Sequence, residues 1–333
     1  MRKLLTTTLL VIGVGWGGGT THALAQQKVT NATAAAYTLL PSSATVEKGL
    51  FKAEGLDVEV KLVRSGNEAI QALAAGTIEF AESSHAQFIS AVASNLPLVA
   101  IGINVHGFPA RLIALQRHSS LTNLADFKGK RIGSQAGTGV HTVLLMAIEK
   151  SGLKATDFTI SNVRISDMPI AMQGDEIDAY LAWEPQAARM VESGRGKEVI
   201  SADRFQAMLN ISYPFMILTT EKIVRERPDL VQKYLNGYAK GQRVIDTQRG
   251  EAIGIYRRAL PAAALASMTD ENVRSQIYLT TMYNRVLPNS VDLADIKQTA
   301  EFMLREKIIK AMPDLAKVIN LEFARQATAN LGK

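Results

Sequence analysis

Apolar and polar positions along this chain alternate between two periods, and the switches between them outline strands and helices. Residues 42–52 place Val46, Leu50 and Phe51 on one face of a helix. Gly55 follows, where a helix C-cap commonly needs a positive φ. Leu56, Val58 and Val60 then alternate with Asp57, Glu59 and Lys61, the period-2 pattern of a strand with one buried face. A weakly patterned, alanine-rich strand region lies upstream at residues 29–39. The pattern further predicts a helix over 66–75, a strand over 77–82, a helix over 84–94 and a strongly apolar strand over 98–105. Strand-like segments at 112–116 and 131–134 precede a helix over 139–151, where Val140, Val143, Leu144 and Ala147 recur at helical spacing. Strands alternating with helices in this way build a mainly parallel sheet covered by helices.

One internal echo extends the picture. Ala72-Leu73-Ala74-Ala75-Gly76-Thr77-Ile78-Glu79 is matched by Ala171-Met172-Gln173-Gly174-Asp175-Glu176-Ile177-Asp178 at a constant offset of 99. Each reads as a helix end, a glycine-containing turn and a strand that opens on an isoleucine and an acid. Each strand leads to a loop ahead of a new helix, Glu82-Ser83-Ser84-His85 in one copy and Trp183-Glu184-Pro185 in the other. Copies so far apart cannot stack as a short-period array; two similar α/β lobes account for them. The expected organisation is a leader over 1–25, a first lobe over 26–110, a second over 111–212, and a return to the first over 213–333. The apolar stretch 213–218 carries that return. Beyond it the pattern is helical, over 221–227, 229–248, 251–258, 270–284, 292–306 and 314–331, and is expected to cover the outside of the first lobe.

The N-terminus bears on compartment. Arg2 and Lys3 precede an apolar run at 4–14, and Ala23-Leu24-Ala25 offers a small-residue cleavage site before Gln26. This is the layout of a cleaved secretory signal, the run being shorter than the roughly 20 residues a bilayer requires. Gly13-x-Gly15-x-x-Gly18 imitates a dinucleotide fingerprint without the strand and crossover helix that would frame it. The chain has no cysteine, hence no disulfide, no thiolate metal site and no lipid-bearing cysteine after the signal. A soluble periplasmic protein of about 308 residues is expected. The formal charge of +6 falls to about +4 without the leader. That mild excess suits an anionic small molecule and marks no nucleic-acid surface. The five histidines form no His-Glu-x-x-His pattern, and Gly-x-Ser-x-Gly is absent. No motif calls for a metal, a cofactor or an enzyme.

Open α/β sheets bind ligands beyond the carboxyl ends of their strands, where helix N-termini present unpaired N–H groups to anions. Four loops fit that place. Pro41-Ser42-Ser43 is read as the start of the first helix, with a serine cap. Ser83-Ser84-His85 follows Glu82. Gly137-Thr138-Gly139 lets backbone approach an anion closely. Trp183-Glu184-Pro185 opens the fourth helix, and Tyr213 begins the return stretch. Each has a plainer reading: Ser42, Ser43, Ser84 and Thr138 as helix caps, Trp183 as core, Glu184 as a surface ion pair. His85 and His106 sit in cleft loops as donors to an anion or as structural residues, and Arg111 supplies charge or pairs on the surface.

Residues 49–60 (Gly-Leu-Phe-Lys-Ala-Glu-Gly-Leu-Asp-Val-Glu-Val), 124–133 (Leu-Ala-Asp-Phe-Lys-Gly-Lys-Arg-Ile-Gly), the two echoes and Ala182-Trp183-Glu184-Pro185 together resemble one family. It is the solute-binding proteins of ABC importers for nitrate, sulfonate, taurine and related compounds. The resemblance runs from about residue 29 to 219 and fades into generic helices beyond. It implies a two-lobe periplasmic binding protein fold of type II whose lobes close on a small anionic ligand. The closed monomer then delivers the ligand to an inner-membrane permease. A sulfonate or taurine-like ligand is expected; for a taurine-like one, Glu184 or Glu82 is the partner for the ammonium. The alternatives are a sensory module of the same fold, or a binding protein for a different ligand class: nitrate, a carboxylate or a thiamine-precursor-like heterocycle. Relatives that make the pyrimidine of thiamine depend on cysteines, which this chain lacks.

Overall fold

The computed structural model describes residues 26–266, 268–281 and 285–331. The expected leader and the last three residues of the helix expected over 270–284 therefore lie outside the described residues. The strands are β1 (Gln27–Ala34), β2 (Leu56–Val63), β3 (Phe80–Ser84), β4 (Leu98–Ile103), β5 (Arg111–Leu115), β6 (Arg131–Ser134), β7 (Thr159–Asn162), β8 (Ala179–Ala182), β9 (Gly196–Ile200) and β10 (Phe215–Thr220). They form two five-stranded sheets, ordered β2-β1-β3-β10-β4 and β7-β6-β8-β5-β9. The first three strands of each sheet run parallel. The strand arriving from the other lobe, β10 or β5, is inserted antiparallel to its neighbours. Helices flank both sheets, as the alternating pattern requires. β7 and β9 were not legible beforehand, because the four residues of β7 are at most half buried and show no apolar face.

The internal echo is structural. β3 and β8 are each third in their sheets, and Ile78-Glu79 and Ile177-Asp178 stand just ahead of the strands they were expected to open. Glu79 Oε2 accepts from the Thr30 N–H of β1 at 2.9 Å, and Asp178 Oδ2 accepts from the Arg131 N–H of β6 at 2.9 Å. In both lobes the acid satisfies a backbone donor on the adjacent strand. Against the desolvation that would raise it, Arg131 and Arg117 hold the Asp178 carboxyl well below the usual range.

The glycines of residues 49–60 do different work from that expected of one continuous helix. Gly49 adopts φ +66° and divides it into Leu39–Glu47 and Leu50–Ala53; Gly55, at φ +80°, turns the chain into β2. Leu56 and Val58 are buried and pair with Gln27 and Val29 of β1. Phe51 and Phe80 stack on Tyr234 of the long helix Pro228–Thr247, with ring centroids 4.9 and 3.8 Å apart.

The two lobes are joined by crossovers that run side by side. Asn104 N donates to Phe215 O, Phe215 N to Val105 O and Gly107 N to Ser212 O, each at 2.8 Å. Three side chains on one face of the helix Ser290–Arg305 grip this junction. Asp292 Oδ1 lies 3.2 Å from His106 Nε2 on the outgoing crossover. Asp295 Oδ2 accepts from Ser212 N on the return crossover at 2.6 Å. Thr299 meets His85 Nε2 at 2.9 Å. The C-terminal helices thus do more than cover the first lobe. Phe302 and Met303 share one apolar core with Val143 and Leu144 of the second lobe, and Arg189 donates to Ala263 O.

Helix Pro228–Thr247 approaches Leu39–Glu47 so closely that a Cβ on Gly241 would lie 1.9 Å from Thr45 Oγ1 and 3.1 Å from Thr45 Cα. Backbone cannot swing aside like a long side chain, so Gly241→Val should lower unfolding free energy by about 3 kcal/mol. Chemical denaturation measures it, and an unchanged midpoint would show that the helices separate at no cost.

Candidate functional site

Beyond the C-terminal ends of β1, β2, β3, β6 and β8, between the lobes, lies a small, partly open cavity of about 50 Å³. One wall comes from the first lobe: Ala34, Ala36, Tyr37 and Thr38 after β1, Ser65 and Gly66 after β2, and Glu82, Ser83, Ser84 and Gln87 at the end of β3. The facing wall is Thr138, Gly139 and Val140 after β6, with Trp183 after β8. Phe108, Tyr213 and Phe215 of the crossovers close the back.

Three helices begin at this cavity, and each is capped by a hydroxyl. Ser65 accepts from Glu68 N ahead of Gly66–Ala74, Ser84 from Gln87 N ahead of His85–Ala93, and Thr138 from His141 N ahead of Gly139–Lys150. First-turn N–H groups have no partner within their own helix. The caps satisfy one donor each, leaving a partial positive charge directed at the cavity. The lobes also touch at the mouth, where Asn67 Nδ2 donates to Gly137 O at 2.9 Å. At the back of the cavity Gly139 is needed: a Cβ would lie 2.4 Å from Tyr213 Oη and 2.8 Å from Ser84 Oγ.

No lysine, arginine or histidine lines the cavity among the described residues; the carboxyl in its wall is Glu82. Glu82 is 2% exposed and accepts from Asn31 Nδ2 at 2.8 Å, Asn104 Nδ2 at 2.9 Å and Tyr238 Oη at 2.9 Å. Burial pushes its pKa up to about 7, opposed by those donors and by the hydroxyls of Thr33 and Ser42.

Of the residues singled out from sequence, Glu82, Ser83, Ser84, Thr138, Gly139, Trp183 and Tyr213 line this cavity. The others stand elsewhere. The first helix begins at Leu39, not at Pro41, because a proline within the first turn forgoes only an N–H that has no helical partner. Tyr37 and Thr38 therefore face the cavity, while Ser42 is buried beneath it, donating to Leu39 O at 3.2 Å, and Ser43 is half-buried one position on. His85 donates from Nδ1 to Pro214 O at 3.0 Å, and burial lowers its pKa to about 4, so it is a neutral structural group and no anion donor. His106 is held against Asp292 behind the crossovers. Gly137 offers its carbonyl to Asn67. Glu184 pairs with Arg111 and accepts from Ala188 N at 2.8 Å; Arg111 also pairs with Glu198 at 2.8 Å. Ser65 and Gly66 were missed, although Ser65-x-x-Glu68 before an apolar run is the pattern of a helix start. Phe108 and Phe215 carried no signal, since a lone aromatic in a crossover reads as core.

Two α/β lobes, paired crossovers and a cavity between facing helix N-termini define a two-lobe periplasmic-binding-protein fold. Residues 40–249 match the family described as NMT1/THI5 like, and the chain belongs to it. A provisionally named binding protein of Brucella abortus (strain 2308) is 29% identical over 189 residues, covering 57% of each chain. The chain thus spans little more than half the length of that relative. A provisionally named aliphatic sulfonates-binding protein of Escherichia coli (strain K12) is 24% identical over 75% of each chain. The alkanesulfonate-binding protein SsuA of Xanthomonas axonopodis pv. citri, bound to MOPS, has a TM-score of 0.71 at 16% identity, covering 90% of this chain and 99% of that one. The periplasmic nitrate-binding protein NrtA of Synechocystis PCC 6803 has a TM-score of 0.73 at 14% identity, covering 92% and 89%. The desulfurization enzyme DSZB matches with a TM-score of 0.65 at 12% identity, covering 92% and 99%. At such identities these structures establish the fold, which binding proteins and an enzyme share.

Glu82 supplies a pH test. Its folded-state pKa, about 7, lies above the ordinary 4.5, so between those values the unfolded chain binds fewer protons than the folded one. The stability conferred by the protonated carboxyl is full below pH about 4.5 and is lost as pH rises through about 7. Relative to Glu82→Gln, the wild type should lose on the order of 3 kcal/mol between pH 4.5 and 8. Denaturant unfolding of both proteins at the two pH values measures this, and a pH-independent difference would show that burial does not raise this carboxyl.

Proposed function

We propose that the protein is a periplasmic solute-binding protein that captures a small organic anion, a sulfonate first, and presents it to the permease of an ABC-type importer. The observation that carries this reading is the convergence of three hydroxyl-capped helix N-termini on one cavity between the lobes, whose remaining wall is rich in aromatic rings. Such a site holds an anionic head by N–H groups and helix dipoles, and an apolar body by ring faces. Family membership and the sulfonate-binding names of relatives support the same choice. The signal-like N-terminus supports export, and no helix among the described residues is long and apolar enough to cross a membrane.

The contacts of the two carboxylates favour a plain anion over a taurine-like zwitterion. Glu184 is engaged by Arg111. Glu82 accepts from three side chains, leaving an ammonium to displace donors already in place. Catalysis is the competing reading because DSZB shares the fold. Without cysteine, a thiolate mechanism is closed to this chain.

Calorimetry or thermal-shift screening against alkanesulfonates, taurine, nitrate and small carboxylates tests the proposal. A ligand at about 100 times its Kd should stabilise the protein by roughly 2.7 kcal/mol. Silence across the whole set would refute the anion reading, and steady conversion of a bound compound would replace binding with catalysis. Trp183 lines the cavity and is half-buried, so Trp183→Ala should weaken binding tenfold or more, about 1.4 kcal/mol, with a smaller loss of stability. Stability loss equal to the binding loss would mark Trp183 as core.

A further inference from the structure

Tyr213 stands in the return crossover with φ +45°, a left-handed backbone that a bulky side chain rarely adopts. Its ring is wedged edge-on against His85 and Phe108, with centroids 4.6 and 4.7 Å away, and lies 5.6 Å from Phe215. The side chain lines the cavity and is wholly buried, yet Oη has no hydrogen-bond partner of good geometry among the described residues. Ser84 Oγ is its polar neighbour; that hydroxyl donates to Gln87 Oε1 at 3.1 Å and accepts from Gln87 N at 3.3 Å, which leaves it one lone pair, but the Tyr213 contact falls short of a well-formed hydrogen bond. A buried O–H without an acceptor is costly, and phenylalanine would fill the same space without that cost.

The position of the unpaired hydroxyl says what it is for. Oη stands over the first residue of the twelve-residue helix Gly139–Lys150, 2.4 Å from where a Gly139 Cβ would be. Thr138 takes only the His141 N–H, which leaves the first-turn N–H groups of Gly139 and Val140, both of which line the cavity, without a helical partner. Away from this end the rings continue as Phe215 and then Tyr37, 5.3 Å apart and edge to face. Donors therefore gather at the crossover, and apolar surface leads away from them.

We propose that Tyr213 Oη is a specificity-determining donor: one oxygen of the ligand's anionic group accepts from it together with the first-turn N–H groups at Gly139, and the ligand's apolar body lies along Phe215 and Tyr37. This deepens the reading of the protein as an anion binder and rests on it. It restricts the ligand to oxyanions that carry an apolar substituent, since a bare ion would leave the ring faces empty.

The test is titration calorimetry of wild type and Tyr213→Phe with 1-butanesulfonate, butanoate and nitrate as probes, alongside melting temperatures of the ligand-free proteins. Wild type should bind 1-butanesulfonate or butanoate more tightly than nitrate. Tyr213→Phe should bind the same probe at least tenfold more weakly while melting no lower, and above wild type if the lost hydroxyl was an unmet donor. Gly139→Ala, whose methyl would crowd Tyr213 Oη and Ser84 Oγ, should weaken binding as well. Equal affinity in Tyr213→Phe overturns the donor role and leaves the anion reading standing. A lower melting temperature with unchanged affinity makes the hydroxyl structural and also overturns it. No binding of any probe by wild type overturns both readings.

Discussion

Everything in this molecule hangs on the junction where the chain passes twice between its lobes, because a cavity shared by two lobes is only as well defined as their connection. The two crossovers hydrogen-bond to each other, and one face of the helix Ser290–Arg305 fixes both. Asp292, Asp295 and Thr299 recur at the spacing that lines up side chains on a helix, and they reach His106, Ser212 and His85 respectively. Burial would raise the Asp292 carboxyl, but His106 and the backbone at Asn289 hold it well below the usual range, so a full charge sits at the junction. A buried charge held by several partners is costly to displace. The same junction delivers Phe108, Tyr213 and Phe215 to the back of the cavity, so the connection between the lobes and the ligand wall are one piece of structure.

Charge is distributed in the site by engagement and by burial. Arg111, three residues past Phe108, is bound to Glu184 and Glu198 and lends its charge to the second lobe. What remains for an anion is backbone: helix N-termini whose donors require no counterion. Glu82 would oppose an anion if ionised, and its raised pKa softens that opposition. Inside a wall of N–H groups, hydroxyls and rings, partly screened from bulk water, weak dipoles count for more than in water.

Much of the scaffold was legible from periodicity. The strand at 131–134 and the helix beginning at Gly139 stand where the pattern puts them, because one buried face imposes its period on the chain whatever lies opposite. The echo at an offset of 99 corresponds to the third strand of each sheet, since the same supersecondary unit makes the same demand twice. The start of the first helix was misread, because Pro41 suits any position in a first turn and not only the first. His85 and His106 stood among the ligand candidates with a structural role left open, because sequence shows that a histidine is near a strand end but not whether Pro214 or Asp292 meets it there.

Sequence alone determined the alternating elements, their repetition as two lobes, the absence of thiol chemistry and the class of loop that faces the cleft. These follow from local propensity, from the period of burial and from composition, all of which reside in neighbouring residues. Only the tertiary structure decided which candidates share a cavity. Thr138, Ser84 and Tyr213 are brought together from chain positions 54 to 129 residues apart, and Glu184 is turned from ligand partner to scaffold by an arginine 73 residues away. Partners of that kind are set by how sheets and helices pack against one another, and no local pattern records which side chain another element will bring.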